Sequence, residues 1–233
     1  MTKGTALIIG AGSGLSASLA RQLHARGNAI VLAARNTDKL AMLVEETQAR
    51  AVALDGSDPG DVDALFASIE GRLDVAVYNP SARVRGQVAE LDPEEVRRAI
   101  EITAFGSFLM GRAAAKVMQA QPAQEGKRGT ILFTGASAGV KGFPKSAPFA
   151  MGKFAQRGLA QSMGRELHPK GIHVAWVNID GGISNTARPE RTDDGTDKML
   201  DPDAIAGAYI QLIDQHRSAW SNEIALRPWV ETF

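Results

Sequence analysis

The sequence lacks cysteine altogether, and it has no excess of charge of either sign. Without a thiol, the chain can form no disulfide, thiol nucleophile or thiolate metal site. The 26 lysines and arginines balance 26 aspartates and glutamates, so the formal net charge is zero. This balance argues against nucleic acid or an anionic membrane as a partner, because both favour a basic surface. A small-molecule substrate or effector is the expected ligand.

Long apolar runs and clustered metal ligands are also absent. No apolar segment approaches the length of a membrane span, and the four histidines have no metal-ligand spacing. Residues 1–5 lead into an apolar segment without the basic and apolar leader of a secreted protein. We therefore expect a cytoplasmic protein with no metal site.

Short apolar segments alternate along the 233 residues with segments of helical periodicity. The first, residues 6–9, is continuously apolar, as is typical of a strand buried on both faces of a sheet. The segment after it places Leu15, Leu19 and Leu23 on one face of a helix. The same alternation predicts strands at 6–9, 29–33, 51–54, 74–77, 131–133, 173–177 and 223–226. It predicts a doubly wound, seven-stranded parallel sheet of the Rossmann type, with residues 1–233 forming a single α/β domain.

Several helix ends are marked by capping residues. Gly27 follows the first helix, where a left-handed C-cap is expected, and Thr37 can cap the second. Asp58 and Asp92, each followed by proline, are predicted to begin two further helices.

A glycine-rich turn separates the first predicted strand from the first helix. It contains Gly10, Gly12, Ser13 and Gly14, and Leu15 begins the helix. Such a turn brings backbone N–H groups and a helix N-terminus to a pyrophosphate, and glycine leaves room for the close approach. The position between a buried strand and an amphipathic helix favours a dinucleotide site over a tight turn without a ligand.

The end of the second predicted strand bears on the choice of cofactor. An NAD site usually places Asp or Glu there, to bind the ribose 2′-hydroxyl. This chain has Ala33, Ala34, Arg35 and Asn36, with no carboxylate. A guanidinium suits a 2′-phosphate because it forms charge-assisted, often bidentate hydrogen bonds. The sequence therefore favours NADP(H) over NAD(H), although Arg35 can also be read as an exposed loop residue.

The order of these motifs resembles the short-chain dehydrogenase/reductase family over essentially the whole chain. Gly10 and Gly14 match the first two glycines of its Gly-x-x-x-Gly-x-Gly motif, and Ser16 stands at the third. Lys153 matches the lysine of its Tyr-x-x-x-Lys motif. The resemblance implies further residues of the cofactor site. Asp55 is expected to contact the adenine, Lys153 the ribose hydroxyls and Thr186 the carboxamide. Asn79 matches an asparagine of a family motif, and Gly181 belongs to the turn that wraps the nicotinamide.

Most of the family's catalytic Asn-Ser-Tyr-Lys set is missing. Phe149 replaces the tyrosine, Ala136 stands at the serine position, and Thr103 stands at the asparagine position. Ser137, one residue from Ala136, can substitute only if its loop is shifted. Phenylalanine cannot supply a proton, a contribution worth on the order of 10²–10⁴-fold in rate. The C-terminal residues 220–228 resemble those of a bacterial subgroup in which phenylalanine replaces the tyrosine.

Two functions remain open at this point. The first is an NADP(H)-dependent oxidoreductase acting on an unknown carbonyl or alcohol, in which a substrate hydroxyl, a water, Ser137 or Ser146 replaces the tyrosine. The second is a non-catalytic NADP(H)-binding sensor or scaffold. In both, Lys153 is a ribose ligand rather than a solvated helix lysine.

The resemblance also predicts a homodimer or homotetramer. Family members commonly pair the helices that match residues 93–118 and 149–167, and small residues such as Gly106 and Gly158 allow close packing there. The polar segment 185–200 follows a strand end, where ligands bind in open α/β sheets. It is either a lid or an exposed loop without a role.

Overall fold

The computed structural model describes residues 3–185, 187–192 and 194–231, which form nine strands and seven α-helices. The strands are β1 (Thr5–Ile9), β2 (Ala29–Ala34), β3 (Arg50–Ala53), β4 (Leu73–Tyr78), β5 (Gly129–Thr134), β6 (Ile172–Ile179), β7 (Gly182–Ile183), β8 (Met199–Leu200) and β9 (Glu223–Leu226). The helices are α1 (Leu15–Ala25), α2 (Ala41–Thr47), α3 (Pro59–Ala67), α4 (Pro93–Ile100), α5 (Gly106–Ala120), α6 (Ala147–Leu167) and α7 (Pro202–Asp214).

Seven of the strands form one parallel sheet in the order β3-β2-β1-β4-β5-β6-β9. This confirms the predicted doubly wound sheet and its single domain. The strand order reverses between β1 and β4, and ligands of such sheets bind at the carboxyl ends of the strands beside that reversal. The Gly-rich turn after β1 and the loop after β4 both lie there.

The hydrophobic core has two layers, one on each face of the sheet. Along β1, Leu7 and Ile9 pack in the layer beneath α3, α5 and α6, whereas Ala6 and Ile8 pack in the layer beneath α1, α2 and α7. This alternation follows from the period of two in a strand, and burial on both faces explains the continuously apolar sequence.

The helix ends show which capping signals operate. Gly27 has a φ of 88°, and the side chains of Asp58 and Asp92 cap α3 and α4, all as predicted. The prediction for Thr37 was wrong, because its side chain makes no capping bond. Asn36 Oδ1 instead accepts from the N–H of Asp38 at 2.9 Å.

Two features of the fold are not visible in the sequence pattern. The long helix predicted from residue 93 is interrupted by a π-helical turn, Glu101–Phe105, between α4 and α5. The segment after β6 forms a separate two-stranded ladder of β7 and β8. In the part of the chain that the structure describes, no helix is long and apolar enough to span a bilayer.

Candidate active site

The Gly-rich turn lies at the carboxyl end of β1, held by the neighbouring strands. The N–H groups of Gly10 and Ala11 donate to the carbonyl of Ala33 at 2.8 and 3.1 Å. Gly10 has a φ of 83°, and a Cβ built there would lie 2.7 Å from Cδ of Pro80. Both the backbone conformation and the contact therefore require glycine at this position.

The side chains of Asn79 and Ser16 brace this turn from the sheet side. Asn79 Nδ2 donates to Ser16 Oγ at 2.7 Å and to the carbonyl of Gly10 at 3.3 Å. Ser16 Oγ in turn donates to the same carbonyl at 3.1 Å. The amide of Asn79 thus binds the turn itself, and the serine in place of the third motif glycine takes part in the brace.

The cleft side of the turn presents unsatisfied donors. The N–H groups of Gly12, Ser13 and Gly14 donate to no acceptor within the described residues, and α1 begins without a side-chain cap. A Cβ on Gly12 would meet nothing within 4 Å. Free N–H groups at a helix N-terminus form a donor set that fits a pyrophosphate.

A single cleft of about 1170 Å³ runs from this turn to the first turns of α6. It is lined by thirteen of the residues that the sequence singled out, namely Gly10, Gly12, Ser13, Gly14, Leu15, Ser16, Asn79, Ala136, Ser137, Ser146, Phe149, Lys153 and Gly181. Arg35 and Asp55 do not line it. Thr186 lies outside the described residues.

Arg35 and Asp55 follow the carboxyl ends of β2 and β3, outside the lining of the cleft. Arg35 is exposed directly after β2. Asp55, after β3, accepts from the N–H and hydroxyl of Ser57 and pairs with the guanidinium of Arg98. Partial burial would raise the pKa of Asp55, but these hydrogen bonds and the ion pair outweigh it and hold that pKa below its ordinary value. An ionised Asp55 thereby joins the end of β3 to α4.

Lys153 is almost completely buried, with 2% of its surface exposed, so it is not a solvated helix lysine. Its Nζ donates to the carbonyl of Thr134 at 2.6 Å and to Oε1 of Gln156 at 3.2 Å. Burial, together with the nearby positive charge of Arg83, lowers the pKa of Lys153 to about 7. The ammonium group therefore titrates close to neutral pH.

Gln156 is a site residue that the sequence reasoning missed. Its Oε1 also accepts from Nε1 of Trp176 at 3.3 Å, and its Nε2 donates to Oγ of Ser107 at 2.8 Å. The only signal for it was its spacing, three residues after Lys153 and hence on the same face of α6. These bonds fix the amide and aim its oxygen at the lysine.

The family of the chain follows from comparison with known proteins. A family model described as short chain dehydrogenase matches residues 4–195. The chain belongs to the short-chain dehydrogenase family. A solved short-chain dehydrogenase from Rhodopseudomonas palustris is 36% identical, with a TM-score of 0.81 over 97% of this chain and 99% of that one. A metagenomic short-chain oxidoreductase solved in complex with NADP is 26% identical, with a TM-score of 0.83 over 99% of both chains.

Curated relatives agree with this assignment. An uncharacterized oxidoreductase of Staphylococcus aureus is 26% identical over 98% of both chains. The similarity therefore extends along the full sheet rather than being confined to the nucleotide-binding half.

This short-chain dehydrogenase has an apolar wall in its cleft, formed by residues that the sequence resemblance matches to the family's tyrosine and serine. Phe149, which is 6% exposed, packs with Ala136 and Ala138 in a small cluster of its own. The guanidinium carbon of Arg83 lies 4.3 Å from the centre of the Phe149 ring. None of these four side chains carries a hydroxyl.

Two serine hydroxyls lie near this apolar wall. Ser137 and Ser146 both line the cleft, and neither hydroxyl has a hydrogen-bond partner within the described residues. Whether Ser137 can act at the position of the family's serine stays a prediction, as does the loop shift that this would need. Ser146 immediately precedes α6, one turn of chain before Phe149.

Thr103, which the sequence resemblance matches to the family's asparagine, is fully buried in the π-helical turn. Its Oγ1 accepts from the N–H of Ala82 at 3.1 Å, and its carbonyl accepts from Oγ of Ser107 at 2.6 Å. The threonine thus fixes the loop after β4 against α5.

Proposed function

We propose that this short-chain dehydrogenase is an NADP(H)-dependent oxidoreductase that acts on a small carbonyl or alcohol without a tyrosine as proton donor. The observation that carries the proposal is the continuous cleft. It joins the free N–H groups of the Gly-rich turn to Lys153 and Phe149 at the opposite end. A cleft of about 1170 Å³ has room for both a dinucleotide and a small substrate.

The cofactor would supply the hydride, and this chain's residues would hold it. The free N–H groups of residues 12–14 fit the pyrophosphate, and Lys153 would bind the ribose hydroxyls. Arg35, with no carboxylate beside it at the end of β2, would bind the 2′-phosphate of NADP(H). The relative solved in complex with NADP supports this choice.

Proton transfer would use a group other than residue 149. The hydroxyls of Ser137 and Ser146 line the cleft. Lys153, with a pKa of about 7, can exist in either protonation state near neutral pH, which suits a general acid or base. We propose that Phe149 is the trait of a subgroup of the family rather than damage. The resemblance of the C-terminal residues 220–228 to that subgroup supports this proposal.

A non-catalytic NADP(H)-binding sensor or scaffold is the second candidate. The apolar cluster of Phe149, Ala136 and Ala138 favours it, because that cluster takes the place of both hydroxyls that act on substrate in the family. The same residues would bind the cofactor in either case. Only turnover separates the two functions.

The test combines cofactor titration with turnover. Calorimetric titration with NADPH and NADH is expected to show tighter binding of NADPH. NADPH oxidation with a carbonyl panel, and NADP⁺ reduction with the matching alcohols, is expected to show turnover that a Lys153→Ala variant loses. Tight NADPH binding with no turnover on either panel would select the sensor. No binding of either cofactor would overturn both candidates.

We further propose a homo-oligomer formed through α5 and α6. Four large apolar side chains are exposed on these helices and the π-helical turn, namely Phe105 at 43%, Phe108 at 45%, Met151 at 52% and Phe154 at 45%. The rings of Phe105 and Phe108 stack with centres 6.1 Å apart. Clustered exposed apolar groups of this kind mark interaction surfaces.

A further inference from the structure

The cleft has a strongly cationic lining, although the chain as a whole has no net charge. Six basic side chains line the cleft, and Glu190 is the one carboxylate among the described residues that do so. The basic residues are Arg83, Arg85, Lys145, Lys153, Arg188 and Arg191. They come from three segments, namely the loop after β4, the first part of α6 with the loop before it, and the excursion between β7 and β8.

No described residue neutralises the four arginines of this lining. Within the described ranges, no carboxylate lies at ion-pair distance from Arg83, Arg85, Arg188 or Arg191, whereas arginines elsewhere, such as Arg157, are paired. Like charges held together without counter-ions cost free energy. A bound anion would remove that cost.

Arg83 is the best placed of these groups to bind an anion. Its guanidinium lies over the face of the Phe149 ring at 4.3 Å, which fixes the plane of the fork. Its N–H groups donate to no acceptor within the part of the chain that is described. Partial burial, with repulsion from Arg191 and then from Arg85, holds the pKa of Arg83 below its ordinary value. All three arginines line the cleft.

We propose that the Phe149 end of the cleft is an anion-binding substrate subsite, in which Arg83, with Arg85 and Arg191 beside it, binds the carboxylate or phosphate group of a small substrate. The inference rests on the proposed function and names its substrate class, an anionic carbonyl or alcohol. The phosphates of the cofactor are assigned to the Gly-rich turn, at the other end of the cleft, and to Arg35, which lies outside it. A planar fork with free donors suits carboxylate and phosphate oxygens.

The test compares three probes that share one aromatic ring. Benzoate, phenyl phosphate and neutral benzamide are titrated calorimetrically into protein saturated with NADPH, which keeps the anions from the Gly-rich turn. We expect one anion at least to bind about tenfold or more tightly than benzamide, the scale of a charge-assisted hydrogen bond. The anion that binds more tightly, benzoate or phenyl phosphate, shows whether the subsite prefers a carboxylate or a phosphate.

Variants assign the preference to Arg83. Arg83→Gln is expected to abolish the difference between anion and benzamide, and Arg83→Lys to reduce it at least threefold, because the charge stays while the planar fork is lost. Arg165→Gln is the matched control, since it removes one charge from an exposed site on α6 away from the cleft. It is expected to keep the wild-type preference.

The outcomes separate this inference from the proposed function. NADPH affinity is measured on every sample, and the titrations are repeated without cofactor. If the protein binds no NADPH but its preference for anions still depends on Arg83, the cofactor proposal is contradicted and the subsite is supported. Equal binding of all three probes by wild type would overturn the subsite, as would Arg83 variants that behave like Arg165→Gln.

Discussion

Gly10→Ala is expected to lower the stability of the protein, whereas Gly12→Ala is expected to lower its affinity for NADPH. At Gly10, an alanine must adopt a φ of 83°, which costs about 1–2 kcal/mol. Its Cβ would also lie 2.7 Å from Pro80 Cδ, and overpacking of this kind costs about 1–3 kcal/mol. The lower chain entropy of the unfolded alanine variant offsets about 0.4–1 kcal/mol. Gly10→Ala should therefore lower the free energy of unfolding by about 1–5 kcal/mol.

Gly12→Ala is the matched control in the same turn. Its Cβ would meet nothing within 4 Å, and its φ lies outside the left-handed region. The free energy of unfolding should stay within about 1 kcal/mol of wild type. The new methyl group would stand in the cleft where the pyrophosphate is expected, so NADPH affinity should fall about tenfold or more, a loss of about 1.4 kcal/mol.

Urea unfolding and NADPH titration of both variants measure these effects. A Gly10→Ala variant as stable as wild type would refute the contact with Pro80. A Gly12→Ala variant with unchanged NADPH affinity would refute the placement of the pyrophosphate at this turn.

Four further predictions concern the cofactor, the chemistry and the assembly. In calorimetric titration, Arg35→Ala should lower the affinity for NADPH about tenfold or more and leave the affinity for NADH unchanged. Equal losses of affinity for both cofactors would contradict this prediction. Phe149→Tyr with Ala136→Ser should raise carbonyl turnover well above either single change, because such groups act as a unit; additive gains would count against a shared site. The pKa of Lys153 is about 7 in the folded protein and higher in the unfolded chain. Above pH 7 the unfolded chain therefore binds more protons at Lys153 than the folded protein does. The free energy of unfolding should then rise by about 1.4 kcal/mol per pH unit because of this lysine. Urea unfolding at pH 7, 8 and 9 should show that rise relative to Lys153→Met, and parallel curves would refute the lysine's burial. Light scattering should give a dimer or tetramer that Phe154→Glu dissociates, whereas a wild-type monomer would rule the oligomer out.

Local signals were sufficient to predict most of the fold. β9 occupies the predicted residues 223–226, and α3 and α4 begin at their predicted aspartates, because strand period and capping depend on neighbours in sequence. The π-helical turn Glu101–Phe105 was missed because its sequence keeps an apolar pattern compatible with an unbroken helix. The ladder of β7 and β8 was missed because strands of two residues carry no period.

The candidate site was predictable in its parts and not in its contacts. The glycines and Lys153 could be read from spacing and resemblance. The stack of Arg83 on Phe149 joins residues far apart in sequence, as does the bond from Asn79 to Ser16. Such contacts depend on how the loops after β1, β4 and β5 meet at one edge of the sheet, which no local pattern encodes.

The central claim is that this cleft carries out hydride transfer without a tyrosine. Isotope transfer from the cofactor tests that claim most directly. The protein is incubated with NADPH deuterated at C4 of the nicotinamide and a panel of carbonyl compounds that includes carboxylate- and phosphate-bearing members. The account predicts deuterium on the alcohol carbon of a product, by mass spectrometry, with wild type and not with Lys153→Ala. Tight NADPH binding with no deuterium in any product would contradict it.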